Sequence, residues 1–213
     1  MKKPVIIFGA HEMGRVALDI LQQNDVVVYG FLDDDEALQG QEINHVPVLG
    51  NTTAESYWEL LGKDCEAFIA LANQKKQATL LAMLKEKKQL VPINAIHISA
   101  IVEESAMFGH GNLMNANVVL GTNATLGNSC TLHTQVAVEH GAVIKDFVQV
   151  GAGSVIGPNV TLHEEVFVGA GATIVAGVEI GAEASIGAGA VVLENVKPGE
   201  AVLGNPAKPV QLK

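Results

Sequence analysis

Gly9 and Gly14 bracket Ala10-His11-Glu12-Met13, between an apolar run from Val5 to Phe8 and a helical pattern carried by Val16, Ala17, Ile20 and Leu21. A glycine turn ahead of a helix N-terminus can cradle a phosphate through backbone N–H groups. A dinucleotide fingerprint would add a third glycine in the middle, where this chain has His11, so a tight turn with no ligand is the competing reading. Asp33 and Asp34 close a second apolar run, Val26 to Leu32. An acid in that place can accept from a ribose hydroxyl or a base N–H, or it can simply be solvated. Much later, Glu139 and His140 set a carboxylate beside an imidazole. Histidine titrates in the range a general base needs, and a neighbouring acid can fix its tautomer and favour the imidazolium. A solvated histidine is the alternative.

These groups need a scaffold, and the chain supplies two kinds. Over residues 1–95, short apolar runs alternate with helical stretches: Ala67 to Leu71 reads as a third strand and Lys75 to Lys88 as a long helix. Asn51 to Glu55 reads as a helix start, and Leu90 to Ile93 as a return to the sheet. Alternation of this kind predicts a small parallel α/β domain, Rossmann-like in layout. Its ligand edge falls at the carboxyl ends of the strands, here Gly9, Asp33 and Asn73. The lysines of the long helix, Lys75, Lys76, Lys85, Lys87 and Lys88, read as a solvated face.

From residue 96 the rule changes. Every sixth residue from Ile96 to Val192 is large and apolar, seventeen in succession, as in Leu120, Leu126, Leu132, Val138 and Ile144. A small or slender residue follows four places after each, as in Ala124, Cys130, Val136 and Ala142. A helix cannot keep a period of six on one face. A strand places i and i+2 on one side, so each small residue and the next large one can point inward together. Repetition at a fixed short period marks a β-solenoid. Glycine recurs directly after the large residue, at Gly121, Gly127, Gly151, Gly157, Gly169, Gly181 and Gly187 among others, and is expected to turn the corners because it tolerates φ > 0. Small residues such as Ala152, Ala170, Ala176, Ala182 and Ala188 are expected on flat outer faces that can pack closely. The chain leaves the repeat through Lys197-Pro198-Gly199-Glu200 into a turn-rich tail, Gly204 to Pro209.

Composition narrows the partners. A formal charge of −10 with a single arginine, Arg15, argues against a nucleic-acid surface. No signal peptide or spanning segment is read near the start, so membrane insertion is not expected. Cys65 and Cys130 stand far apart without metal spacing, as expected for a reduced cytoplasmic protein.

The repeat resembles that of the hexapeptide-repeat acyltransferases, whose hexads wind, three per coil, a triangular left-handed parallel β-helix. With Gly9-Ala10, Gly14-Arg15, Gly30 to Asp35 and the tail, the chain resembles one bacterial branch: the PglD/NeuD-like N-acetyltransferases of UDP-4-amino sugars and the related sialic acid O-acetyltransferases. The resemblance implies a nucleotide-sugar-binding domain over 1–95 and an acetyl-CoA-dependent prism over 96–213. It carries Gly9, Arg15, Asp33 and Asp34 over as substrate contacts and His140 as the general base, with Glu139 beside it. Active sites between the prisms of a homotrimer of about 67 kDa, three chains of 22.3 kDa, are implied too.

No acyl-enzyme is needed, and Cys130, in the inward phase, is a poor nucleophile candidate. For CoA, Gly187 and Gly189 offer backbone approach to the pantetheine arm, and Lys208 and Lys213 offer charge to the phosphates. The branch usually has two glycines where His11 and Glu12 stand. It usually has an asparagine at His133, an acid at Gly141 and a histidine at Gln149, so His133 and Gln149 are expected to shape the acceptor pocket. Zinc, which some hexapeptide-repeat proteins bind, is not expected, because the third histidine would fall at Val138. Three functional readings stand: N-acetylation of a nucleotide-linked amino sugar in surface-glycan synthesis, O-acetylation of a sugar or sialic acid, and a catalytically altered nucleotide-sugar-binding protein.

Overall fold

The computed structural model describes residues 2–210. It divides into two compact units, Met1–Ile98 and Ser99–Lys213.

In the first unit, β1 (Val5–Phe8), α1 (Glu12–Gln23) and β2 (Val28–Leu32) follow one another, then β3 (Glu42–Ile43), β4 (Val46–Gly50), α2 (Glu55–Trp58), β5 (Glu66–Ile69) and α3 (Gln74–Lys88). The sheet order is β3-β4-β2-β1-β5. All pairings are parallel except the β3–β4 hairpin. The central strands are covered on both faces, which is why they read as continuous apolar runs. One face packs Ile6, Phe8, Leu32, Ala67 and Ile69 against Trp58, Leu80 and Leu84. Phe8 and Trp58 meet edge to face at 5.9 Å, and the Trp58 indole N–H donates to Thr52 O at 2.7 Å. On α1, Ala17, Leu18, Ile20 and Leu21 are buried, each large side chain contributing about 1.5–3 kcal/mol.

Two expectations change here. Leu90 to Ile93 forms no strand: Pro92 lacks an N–H, and one bond, Ile93 N–H to Ala67 O at 2.9 Å, ties the segment to β5. The β3–β4 hairpin adds an edge that periodicity did not announce. Its turn, Asn44-His45, takes φ of 46° and 66°, the left-handed pair a tight hairpin requires.

The second unit is a three-faced prism built mostly of two-residue strands that pair in parallel with the strand eighteen residues on, as in Val119↔Ala137 and Leu120↔Val138. It closes on Ala201–Leu203, which pairs in parallel with Ser185–Ile186 and antiparallel with Lys208–Val210. One face runs from Ile101–Val102 through Val119–Leu120, Ala137–Val138, Val155–Ile156 and Thr173–Ile174 to Val191–Val192. A second carries Thr125–Leu126 and Val143–Ile144, and a third Thr131–Leu132 and Gln149–Val150. The second residue of most strands points inward and is buried, and the slender residue of the following corner joins it, as with Leu120 and Ala124. The first coil is the exception. Phe108 lies on the edge strand of its sheet, with no preceding coil to close over it, and stays 40 % exposed.

The glycines after the large residues do not turn the corner. Left-handed φ falls two places later, at Asn123 (56°), Gly141 (68°), Phe147 (59°) and Asn159 (55°) among others. The post-strand glycine is needed for close approach to the next coil: a Cβ at Gly169 would stand 2.5 Å from Ala188 N, and one at Gly121 would stand 2.9 Å from Val138 O. The alanines expected on flat faces lie instead in the four-residue corners between strands, with Ala152, Ala170 and Ala188 in register on one corner.

Candidate active site

Where β1, β2 and β5 end, a cavity of about 450 Å³ opens, lined among others by Gly9, His11, Glu12, Asp33, Asp34, Asp35, Asn73 and Lys76. The glycine turn is sterically compelled. Gly9 has φ of 106°, and a Cβ there would lie 2.8 Å from Ala70 O, while a Cβ on Gly14 would collide with Gly9 O. Asp33 is buried at 6 % exposure. Its Oδ2 accepts from Ala10 N–H at 2.7 Å and its Oδ1 from Asp35 N–H at 2.9 Å, so the carboxylate expected to meet a ribose or base also braces the turn. Asp34 Oδ1 accepts from Thr52 N–H at 3.0 Å and from its hydroxyl at 2.8 Å. That backbone bond is the main cause holding the Asp34 carboxyl below its ordinary range. Asn73 caps α3, accepting from Lys76 N–H at 3.0 Å.

The structure therefore brings Gly9, Asp33, Asp34 and Asn73 around one cleft. Arg15 is exposed on α1 and is not among the cavity's lining residues. The lysines of α3 are not all a solvated face: Lys76 lines this cavity and, with Lys75, an adjoining one of about 310 Å³ that also presents Thr52, Thr53 and Thr79. Lys87 lies over the Trp58 ring at 5.8 Å. Which turn of α3 faces the cleft follows from the cap at Asn73.

On the prism, Glu139 and His140 stand exposed in the corner between Ala137–Val138 and Val143–Ile144. The corner is clamped from both neighbouring coils. Gly141 N–H donates to Thr122 O at 3.0 Å, and Asn159 N–H donates to His140 O at 3.1 Å. Gly121 lies beneath, where a Cβ would come 3.0 Å from His140 N. Gly141 sits at φ of 68°, where a side chain is strained, and a Cβ there would press on the Asn159 side-chain amide. His133 is half-buried in the preceding corner, with the Ala137–Val138 strand between it and His140, and burial pushes its pKa down. Gln149 lies on the face opposite the His140 corner. Within one chain, neither residue is brought to His140.

Cys130 is buried, and its thiol donates to Lys145 O at 3.0 Å. Burial pushes its pKa up to about 12, which removes it as a nucleophile. Gly189 is open above its Cα, whereas a Cβ at Gly187 would stand 2.7 Å from Leu203 Cβ. Lys208 is exposed beside a small cavity of about 170 Å³ near the tail. Lys213 lies outside the described residues. Among the described residues no cluster of three or more His, Cys, Asp or Glu is placed to hold a metal, and no helix is long and apolar enough to cross a membrane.

Residues 4–84 match the PglD N-terminal domain, and residues 160–194 match the bacterial transferase hexapeptide of six repeats. No curated protein matches the chain by sequence. The GDP-perosamine N-acetyltransferase of Caulobacter crescentus, solved as a histidine-to-alanine variant with CoA and GDP-perosamine, superposes with a TM-score of 0.90 at 26 % identity, covering 98 % of this chain and 97 % of that one. The acetyltransferase domain of PglB from Neisseria gonorrhoeae, solved with acetyl-CoA, also gives 0.90 at 26 % identity, over 99 % of this chain and 100 % of that one. WeeI from Acinetobacter baumannii gives 0.78 at 25 % identity, over 98 % and 100 %. The prism is thus a left-handed parallel β-helix of the hexapeptide-repeat class. In its α/β domain and in its prism alike, the chain is similar to the PglD-like hexapeptide-repeat sugar acetyltransferases.

Proposed function

We propose that the protein transfers the acetyl group of acetyl-CoA to the amine of a nucleotide-linked amino sugar, in bacterial surface-glycan synthesis, with His140 as general base. The observation that carries the reading is the likeness of both units, over nearly the whole chain, to an enzyme solved with CoA and GDP-perosamine. The strand-end cavity beside Gly9, Asp33, Asp34 and Asn73 takes the nucleotide. The amine attacks the thioester carbonyl, a C–N bond forms, the C–S bond breaks, and CoA leaves as its thiolate. His140 takes the proton that the nitrogen must lose, which suits an exposed imidazole on a rigid corner. Glu139, its neighbour in the same exposed corner, is the carboxylate offered beside it. Gly189 and Lys208 are the groups offered to CoA. Gly187 is offered only through its backbone, since Leu203 fills the space a side chain would take.

The site is completed between subunits of a homotrimer. His133 and Gln149, the expected acceptor-pocket residues, lie away from His140 within one chain, so a second copy is needed to bring either against the base. One face suits that contact: its outward residues, Ile101, Val119, Ala137, Val155, Thr173 and Val191, carry no charge, and Ile101 and Val155 are exposed.

The test is a mass-spectrometric screen of UDP-, dTDP- and GDP-linked 4-amino sugars with acetyl-CoA. The reading predicts the gain of one acetyl group on the sugar nitrogen of at least one. Acetyl gain only on hydroxyls favours the O-acetylation reading. Tight nucleotide-sugar binding with no transfer favours a binding protein.

A further inference from the structure

We propose that His11 sets how tightly the α/β domain holds the diphosphate of its ligand and makes that affinity depend on pH. The inference rests on the nucleotide-sugar reading above and concerns a residue to which that reading gives no role. The cavity is acid-rich, with Glu12, Asp33, Asp34 and Asp35 on its wall. Backbone donors hold two of these in place: Asp33 accepts from Ala10 and Asp35 N–H, and Asp34 accepts from Thr52. For Asp34 the bond from Thr52 N–H favours the ionised form. A diphosphodiester entering here meets carboxylates of its own sign. Only two of the lining side chains can oppose them with positive charge, Lys76 and His11.

His11 is placed to do so. It is the N-cap residue of α1, its side chain makes no capping bond, and it is 56 % exposed at the cavity wall. Its Nε2 lies 3.6 Å from Asp35 Oδ2 and 3.9 Å from Asp33 Oδ1, so the ring lies against both carboxylates on the cavity wall. Protonated, it offsets Asp33 and Asp35 and adds a cation where α1 presents its N-terminal amides. Neutral, it leaves Glu12 and the three aspartates opposed by Lys76 alone. Histidine is the one residue type in this lining whose charge changes between pH 5 and 8. Proton and anion therefore favour each other's binding, and affinity falls as pH rises. One linked proton changes affinity by at most about tenfold per pH unit, so a rise in Kd of about tenfold between pH 6 and pH 8 is expected.

The experiment is calorimetric titration of the full chain with GDP-mannose, UDP-N-acetylglucosamine and dTDP-glucose at pH 6, 7 and 8. Their diphosphodiesters do not titrate in this window. In the unaltered protein the Kd of whichever probe binds should rise about tenfold across the range. In His11→Ala it should be flat and close to the unaltered value at pH 8, with acetyl-CoA binding retained as the check on folding. A flat profile in the unaltered protein, or the same slope in His11→Ala, overturns the role of His11 and leaves the nucleotide-sugar reading standing. If no probe binds the unaltered protein at any pH, the nucleotide-sugar reading fails, and the inference with it.

Discussion

Replacing Gly121 by alanine tests whether the prism positions His140 through the coil below. Gly121 has no left-handed φ, so alanine is conformationally allowed there, and the consequence is purely steric. The new Cβ would stand 2.9 Å from Val138 O, 3.0 Å from His140 N and 3.1 Å from Glu139 C. Comfortable contact begins near ~3.5 Å, so the His140 corner must move by roughly 0.5 Å. Overpacking of this size costs about 1–3 kcal/mol, and for a protein of this size each kcal/mol lowers Tm by about 2–4 °C. Misplacing a catalytic group by ~1 Å can cost about a hundredfold in rate, so half that displacement predicts a fall in kcat of about tenfold. Gly127→Ala is the control. It creates the same kind of clash, with Lys145 C at 2.7 Å and with Asp146 Oδ1, but on a different corner. Differential scanning calorimetry and steady-state kinetics on both variants decide the matter. Both should lose stability, and only Gly121→Ala should lose turnover in the melted-out fraction's absence, at a temperature well below either Tm. Equal loss of kcat in the two variants, or none in Gly121→Ala, refutes the reasoning.

Asp33→Ala should cost about 1–3 kcal/mol, because the Ala10 and Asp35 N–H groups lose their acceptor. It should also weaken nucleotide-sugar binding while sparing acetyl-CoA, as titration of each ligand would show. Burial lowers the pKa of His133, so the folded state resists a proton that the unfolded chain accepts. The stability this gives is full above the ordinary histidine value of about 6.5 and is lost as pH falls through the lower folded value. Urea midpoints from pH 7.5 to 5 should therefore fall less steeply in His133→Asn than in the unaltered protein, and equal slopes would contradict the assignment. Val155→Asp puts a charge on the uncharged face, and if that face joins the proposed trimer, light scattering should show smaller species than in the unaltered protein.

The prism was legible because each coil reuses the same six positions. Leu120, Leu126 and Leu132 announce the inward phase, and their burial in the structure follows it. Periodicity cannot say why a glycine is required when the colliding atom lies in the next coil, which is why Gly121 and Gly169 read as corner-turners rather than close contacts. The corner alanines were misplaced for a related reason: the flat faces are two residues wide, and the residue just before each large one carries them, as Val119 and Val155 do. In the α/β domain the cleft followed from strand ends, so Gly9, Asp33, Asp34 and Asn73 were found together. Lys76 and Thr52 were missed, since their place depends on the Asn73 cap and on the loop that Asp34 holds through Thr52. The Asn44-His45 turn gave little warning, because it lacks the glycine that usually marks a two-residue hairpin.

The most direct test of the account is the turnover of His140→Ala, followed by release of the CoA thiol with an amino-sugar nucleotide as acceptor. If His140 is the general base, kcat falls by about 10²–10⁴-fold while the Kd for acetyl-CoA stays within twofold or so of the unaltered value, because the groups offered to CoA lie elsewhere on the prism. Unaltered turnover in His140→Ala would make His140 a solvated corner residue and contradict the account.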